Sequence, residues 1–229
     1  MRSQIEQTTR SVVVHYQGFR AAIIGEYYKA TQLSIAGRPS PLAFSETIQS
    51  HVFSFYDNIN AAIYNSSITG RVTESLQSIA GLNLLETDPP SEDAENALYE
   101  YLTNREDSIS DSIETVGREN AEEVLRSYRH YLMGMSELMP SEIKTIMLHR
   151  DMSNRKIDAK THVESTVRSG LYDMINTSSV FLLMEAGETE GRIDRVDHDQ
   201  DGYIFPLSQY NEMQREYFHP NAGSLVVYK

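Results

Sequence analysis

Cysteine is absent from this chain, which excludes disulfides, thiolate metal centres and cysteine nucleophiles together and leaves the redox compartment open. No run of about 18 apolar residues occurs, so no membrane-spanning helix and no membrane partner are expected. The amino terminus lacks the short apolar core of a secretory signal, because Gln, Glu and Arg interrupt it. Signatures of catalysis are missing as well. There is no Gly-x-Ser-x-Gly elbow, no phosphate-binding Gly-rich loop and no His-Glu-x-x-His helix. His149-Arg150-Asp151 has the order of a kinase catalytic loop, but Lys156 stands where that loop needs Asn. The residues therefore point away from an enzyme.

Positive charge is also in short supply: 20 Lys and Arg face 33 Asp and Glu, a formal net charge of −13. The deficit is local. Residues 86–123 carry −11, against +1 over 1–85 and −3 over 124–229. Such an acidic block repels phosphate, so no broad nucleic-acid-binding face is expected and any DNA contact would be indirect. A solvated helical face is the plain reading of the block.

What is present is enough apolar material, 40% of 229 residues, for one large or two small domains with a real core. Residues 2 to about 36 read as one long helix, with Ile5, Val12, Val13, Tyr16, Phe19, Ile23, Ile24 and Tyr27 near helical spacing. Gly37-Arg38-Pro39-Ser40-Pro41 stops it. Ser45 or Thr47 is a candidate cap for a second helix through Tyr64, and Thr69 or Thr73 for a third ending at Gly81. Asp88-Pro89-Pro90-Ser91 marks a boundary, after which Ser91 caps an acidic helical stretch expected to break near Asp107 and Gly117. Pro140 to about Arg150 reads as another helix, and Asp158 to Glu185 as a long central one ended by Gly187. Beyond Gly187 the period shortens, and Ile193–Val196, Tyr203–Leu207 and Leu225–Val227 read as strands. The expected fold is mainly α with a small C-terminal β-containing knob. Its parts are a helical docking region over 1–90, an acidic-to-amphipathic helical body over 91–187 and the compact knob over 188–229.

The densest signals lie in that knob. Asp197, Asp199 and Asp201 alternate into Gly202 and Tyr203, matching the opening of a calcium loop: alternate carboxylates converge on one hard cation, Gly permits the turn, and the Tyr203 carbonyl is the next ligand. Ser208 then stands where a bidentate Glu is required, which lowers the expected affinity to a dissociation constant of roughly 10⁻⁴ to 10⁻³ M. A metal-free Asp-rich turn, its side chains bonding local amides, fits the same residues. A third reading uses these carboxylates with His219 to hold Mg²⁺ or Mn²⁺ as a metal-assisted hydrolase, although three adjacent Asp residues suit wrapping an ion better than leaving coordination positions open.

Gln200-Asp201-Gly202-Tyr203-Ile204-Phe205-Pro206-Leu207, followed by Phe218-His219-Pro220-Asn221-Ala222-Gly223-Ser224-Leu225-Val226, resembles the tail of the phage minor head, or head-morphogenesis, proteins (the Mu-F-like family). Members of that family combine a helical body with a Leu-Asp-Gly-x-x-Phe-Pro-Leu segment and a His-Pro-Asn-Cys-Arg motif before an apolar strand. The preceding helix, bearing Thr161, Glu164, Thr166, Arg168 and Asn176, is similar to the family's Thr/Glu/Arg/Asn-bearing helix. The resemblance covers residues 140–229. Asp194 and Asp197 stand in place of the family's cysteine pair, and Ala222-Gly223 in place of Cys-Arg, so a zinc site of thiolates and histidine cannot form. Gly202, Phe205, Pro206, His219, Pro220 and Asn221 would be the structural corners. The resemblance implies a virion structural protein at the portal vertex. It would be bound to portal or other capsid proteins, with copies arranged around a ring, and would act in head assembly or in genome packaging or delivery. It would pass through the host cytoplasm during assembly.

Overall fold

A computed structural model of the chain describes residues 2–64, 91–134, 148–150, 156–195, 201–218 and 223–227. The apolar periodicity of the amino-terminal stretch becomes helix α1, Arg2–Gln32, with Ile5, Val12, Tyr16, Phe19, Ile23 and Tyr27 buried. It ends a turn earlier than its pattern suggests, and Ile35–Gly37 makes a separate 3₁₀ turn. Helix α2, Pro41–Tyr64, starts four residues ahead of Ser45. Pro41 takes the first helical position, where its missing N–H costs nothing. Ser40 is the cap: its Oγ accepts from the Ala43 N–H at 3.2 Å. The expected third helix and the boundary at 88–90 lie outside the described residues.

Helix α3, Glu92–Leu132, runs unbroken for 41 residues. Its start is as expected, with the Ala94 N–H donating to Ser91 Oγ at 3.2 Å and Glu92, Asp93 and Glu95 in the first turn. The breaks expected at Asp107 and Gly117 do not occur. Gly117 is a contact point: a Cβ there would lie 2.5 Å from Phe55 Cε1, so its glycine makes room for a ring without ending the helix.

The helix expected from Pro140 to Arg150 is corrected at its far end, since Leu148–Arg150 is strand β1; residues 140–147 lie outside the described residues. Strand β2, Lys156–Asp158, pairs with it antiparallel, Leu148 opposite Asp158. Helix α4, Ala159–Glu185, follows directly, and Asp158 Oδ2 accepts from the Thr161 N–H at 3.2 Å as its cap. Gly187, at φ +82°, ends that segment. Strands β3, Glu190–Asp194, and β4, Ile204–Pro206, helix α5, Tyr210–Tyr217, and strand β5, Leu225–Val227, complete the chain. Their sheet is antiparallel in the order β4-β3-β5. The chain thus adopts long helices followed by a small β-containing knob. No described helix is long and apolar enough to cross a membrane.

Two compact units are formed, one from residues 1–9, 63–109 and 165–229 and the other from 10–62 and 110–164. In the second, aromatic rings do much of the packing. Phe55 stacks on Phe19 at 4.5 Å and meets Tyr16 edge-on at 6.2 Å, and the Phe44 ring lies 4.0 Å from Tyr128. The buried Tyr16 hydroxyl donates to Asn120 Oδ1 at 2.6 Å, which satisfies both groups away from water. The first unit holds the knob.

Candidate functional site

The knob is built on a single apolar cluster. Val180 and Leu183 from α4 pack with Ile193, Phe205, Leu207, Tyr210, Met213 and Val226, and Phe218 lies against them. The alternation of β3 explains the register: Gly191 and Ile193 face inward while Arg192 is exposed. Gly191 is there for space, because a Cβ would sit 2.8 Å from Leu207 Cδ2 and 3.2 Å from Val226 Cγ1.

Asp201 and Gly202 form the turn that leads into β4. Gly202 has φ +81°, a conformation that glycine adopts without strain. Its N–H donates to the Ile193 carbonyl at 2.8 Å, and the Ile193 N–H donates to the Tyr203 carbonyl at 2.9 Å. Asp201 Oδ1 accepts from the Arg195 N–H at 3.0 Å. Two of the four groups expected to hold a cation, the Asp201 carboxylate and the Tyr203 carbonyl, therefore take part in closing the β3–β4 connection. Asp197 and Asp199 lie outside the described residues. Among the described residues no three His, Asp or Glu side chains gather to hold a metal ion.

Phe205 is buried at the centre of the cluster, with its ring 5.8 Å from Phe218. The Tyr210 ring is 5.3 Å from Phe218. Pro206 starts the 3₁₀ turn Leu207–Gln209, in which the Leu207 N–H donates to the Thr189 carbonyl at 2.9 Å. His219, Pro220 and Asn221 lie outside the described residues, but Phe218 before them and Gly223 after them both reach the knob. Gly223 accepts from Arg2 Nε at 3.3 Å.

Two anchors tie this sheet to its helices, and a third joins the helices to one another. The fully buried Asn176 of α4 donates through Nδ2 to the Ser224 carbonyl at 3.0 Å, and its Oδ1 accepts from the Val226 N–H at 3.0 Å. Arg2 of α1 donates to the Asp194 carbonyl at 2.6 Å and pairs with the Asp194 carboxylate at 3.1 Å. Asp173 of α4 pairs with Arg105 at 3.0 Å and accepts from Gln214 at 3.2 Å and the Tyr101 hydroxyl at 3.3 Å. Burial raises Tyr101 to about 12; a bond from Thr177 lowers it and the charge of Asp173 raises it. Tyr210 is also raised above the ordinary phenol range, chiefly by burial. Asn176, Arg2 and Asp173 each hold another part of the chain. None stands as a nucleophile beside a base.

In the sequence Asn176 stands out through the family resemblance, whereas nothing there marks Arg2 or Asp173. A polar residue on the apolar face of α4, next to Met174 and Ile175, is the signal for Asn176. Arg2 and Asp173 have no local signal, since their partners come from remote segments.

The other unit carries an open groove of about 350 Å³ between α1 and α2, lined by His15, Gly18, Phe19, His51, Ser54 and Asn58 among others. His51 Nε2 is 4.0 Å from Glu26 Oε1, which Lys29 Nζ already holds at 2.7 Å. Nothing there assembles a nucleophile, a base and an orienting acid.

Comparison with protein-family models, with curated proteins and with solved structures finds no match to this chain.

Proposed function

We propose that the protein is a structural component of a tailed-virus head, seated at the portal vertex through its helical part and acting in head assembly or genome delivery. The observation that carries this reading is the ordered pair of motifs, Asp201-Gly202-Tyr203-Ile204-Phe205-Pro206-Leu207 and Phe218-His219-Pro220-Asn221, behind the long helix α4. Its support is architectural. The first motif supplies turn, strand and 3₁₀ turn in succession, and Phe205, Leu207 and Phe218 enter one cluster. Asn176 then holds the strand that follows the second motif. Among the described residues, Asn176, Arg2 and Asp194 hold the strands of the knob in place, which suits a presenting scaffold.

Co-sedimentation with the portal protein and the empty heads encoded in the same genome tests the proposal. The protein is expected to travel with both. A chain that never co-sediments with either overturns it.

A further inference from the structure

We infer that the end of the second unit where α1 stops, α2 begins and α3 finishes is a self-association surface that receives the acidic first half of α3 from a second copy. The three chain segments are held at one place by specific contacts. The Tyr131 hydroxyl donates to the Thr31 carbonyl at 2.7 Å, the Tyr128 hydroxyl donates to the Pro39 carbonyl at 2.7 Å, and the Arg38 guanidinium lies 4.7 Å from the centre of the Tyr131 ring. Around these contacts Ile35 is 84% exposed, Leu42 70% and Met133 65%, with Leu33 and Leu132 also open to water. Scattered apolar side chains on a surface are ordinary, whereas several at one helix junction mark a contact site.

Charge identifies the occupant. In a chain of net charge −13, residues 29–42 and 126–134 contain Lys29, Arg38, Arg126, Arg129 and His130 and not one Asp or Glu. Lys29 and Arg126 pair with Glu26 and Glu123 on their own helices, while Arg38 and Arg129 have no carboxylate partner among the described residues. The complementary surface is on the same chain, in the other unit. Glu92, Glu95 and Tyr99 follow helical spacing on α3 and share one face, beside the exposed Asp93 and Glu100. Tyr99 is 66% exposed, a large ring standing among carboxylates with room to enter an apolar site flanked by Arg.

The two surfaces are different patches, Arg38 and Arg129 of one copy against Glu92 and Glu95 of the next, so each copy carries both halves of the contact and can pass it on from copy to copy. This goes beyond the portal reading, because it requires no second protein. It also supplies a contact between neighbouring copies for the ring arrangement that reading expects.

Sedimentation velocity on the purified full chain, at low and at high salt, tests it with two charge-reversal variants, Arg38→Glu with Arg129→Glu and Glu92→Arg with Glu95→Arg. The wild-type chain is expected to form oligomers that dissociate in high salt. Each variant alone should associate at least about tenfold more weakly, and mixing the two should restore association by pairing the reversed charges. Circular dichroism and thermal melting confirm that the variants fold, and Ile35→Ser, at a position open to water, gives a second weakening that leaves charge unchanged. A chain that stays monomeric at every concentration overturns the inference. So does a dimer indifferent to both variants, or one that mixing fails to restore. The portal co-sedimentation is a separate measurement, so the failure of either proposal is seen independently of the other.

Discussion

Asn176 in α4 and Val226 in β5 are joined by a buried hydrogen bond of 3.0 Å across 50 residues of sequence, and the same side chain returns a bond to the Ser224 carbonyl. One amide thus satisfies a donor and an acceptor of a strand that has no other neighbour on that edge of the described sheet.

Replacing Asn176 with Leu leaves both backbone groups without a partner away from water and should cost about 2–4 kcal/mol, read as a lower urea midpoint. Asn176→Asp is the sharper test. An ionised carboxylate accepts from Val226 but cannot donate to Ser224, whereas a protonated one can. Burial raises the folded-state pKa of such an acid, so its stability is held below the ordinary carboxyl range and lost as pH rises. The gap between wild type and Asn176→Asp should therefore narrow in acid; a gap independent of pH would contradict the assigned bonds.

Gly117→Ala and Gly25→Ala should move stability in opposite directions. Both are glycines inside long helices, where alanine is favoured by about 1 kcal/mol. A Cβ at position 25 meets nothing within 4 Å, so that variant should gain about 0.5–1 kcal/mol. At position 117 the Cβ would fall 2.5 Å from Phe55 Cε1 and 2.9 Å from Cδ1. Phe55 is buried and already stacked on Phe19, so an overpacking cost of about 1–3 kcal/mol is expected to outweigh the helix term. Paired urea denaturations decide the sign.

Stability should fall in alkali through the buried tyrosines. Burial holds Tyr16 well above the ordinary phenol range and Tyr101 at about 12. The unfolded chain releases these protons near pH 10 while the folded chain keeps them. The stabilisation is whole below about pH 10 and disappears as pH passes through about 12. Tyr101→Phe should flatten that decline in the urea midpoint. An unchanged slope would mean the hydroxyl is not protected.

Asp201→Ala should lower stability by about 1 kcal/mol through loss of the bond from the Arg195 N–H. The drop is expected to be equal in chelator and in millimolar calcium. A calcium-dependent rise in melting temperature that the substitution abolishes would instead make the Asp197–Tyr203 loop a cation site.

Much of this fold was legible because its elements are written in local terms. The apolar spacing from Val163 to Leu182 and the Ser91 cap located α4 and the start of α3. The change of period after Gly187 located the knob. The errors have one origin. Gly117 reads as a breaker until Phe55 is known to press on it, and Ser40 gives way to Ser45 as a cap until Pro41 is seen to begin the helix. In the site, Gly202 showed itself through turn chemistry, and Phe205 through its place in an expected strand and in the family motif. Arg2 and Asp173 did not, because residues that bond only across distant segments leave no pattern along the chain.

Arg2 carries a further consequence. Its guanidinium waits for the Gly223 carbonyl, 221 positions downstream, so the unit it belongs to cannot be completed until residue 223 has left the ribosome. Residues 10–62 and 110–164 are by then all available to each other. The order of synthesis should therefore ripen the aromatic-lined unit first and leave the opening turns of α1 as a late latch, visible as delayed amide protection near Arg2 in chains stalled before Gly223 emerges.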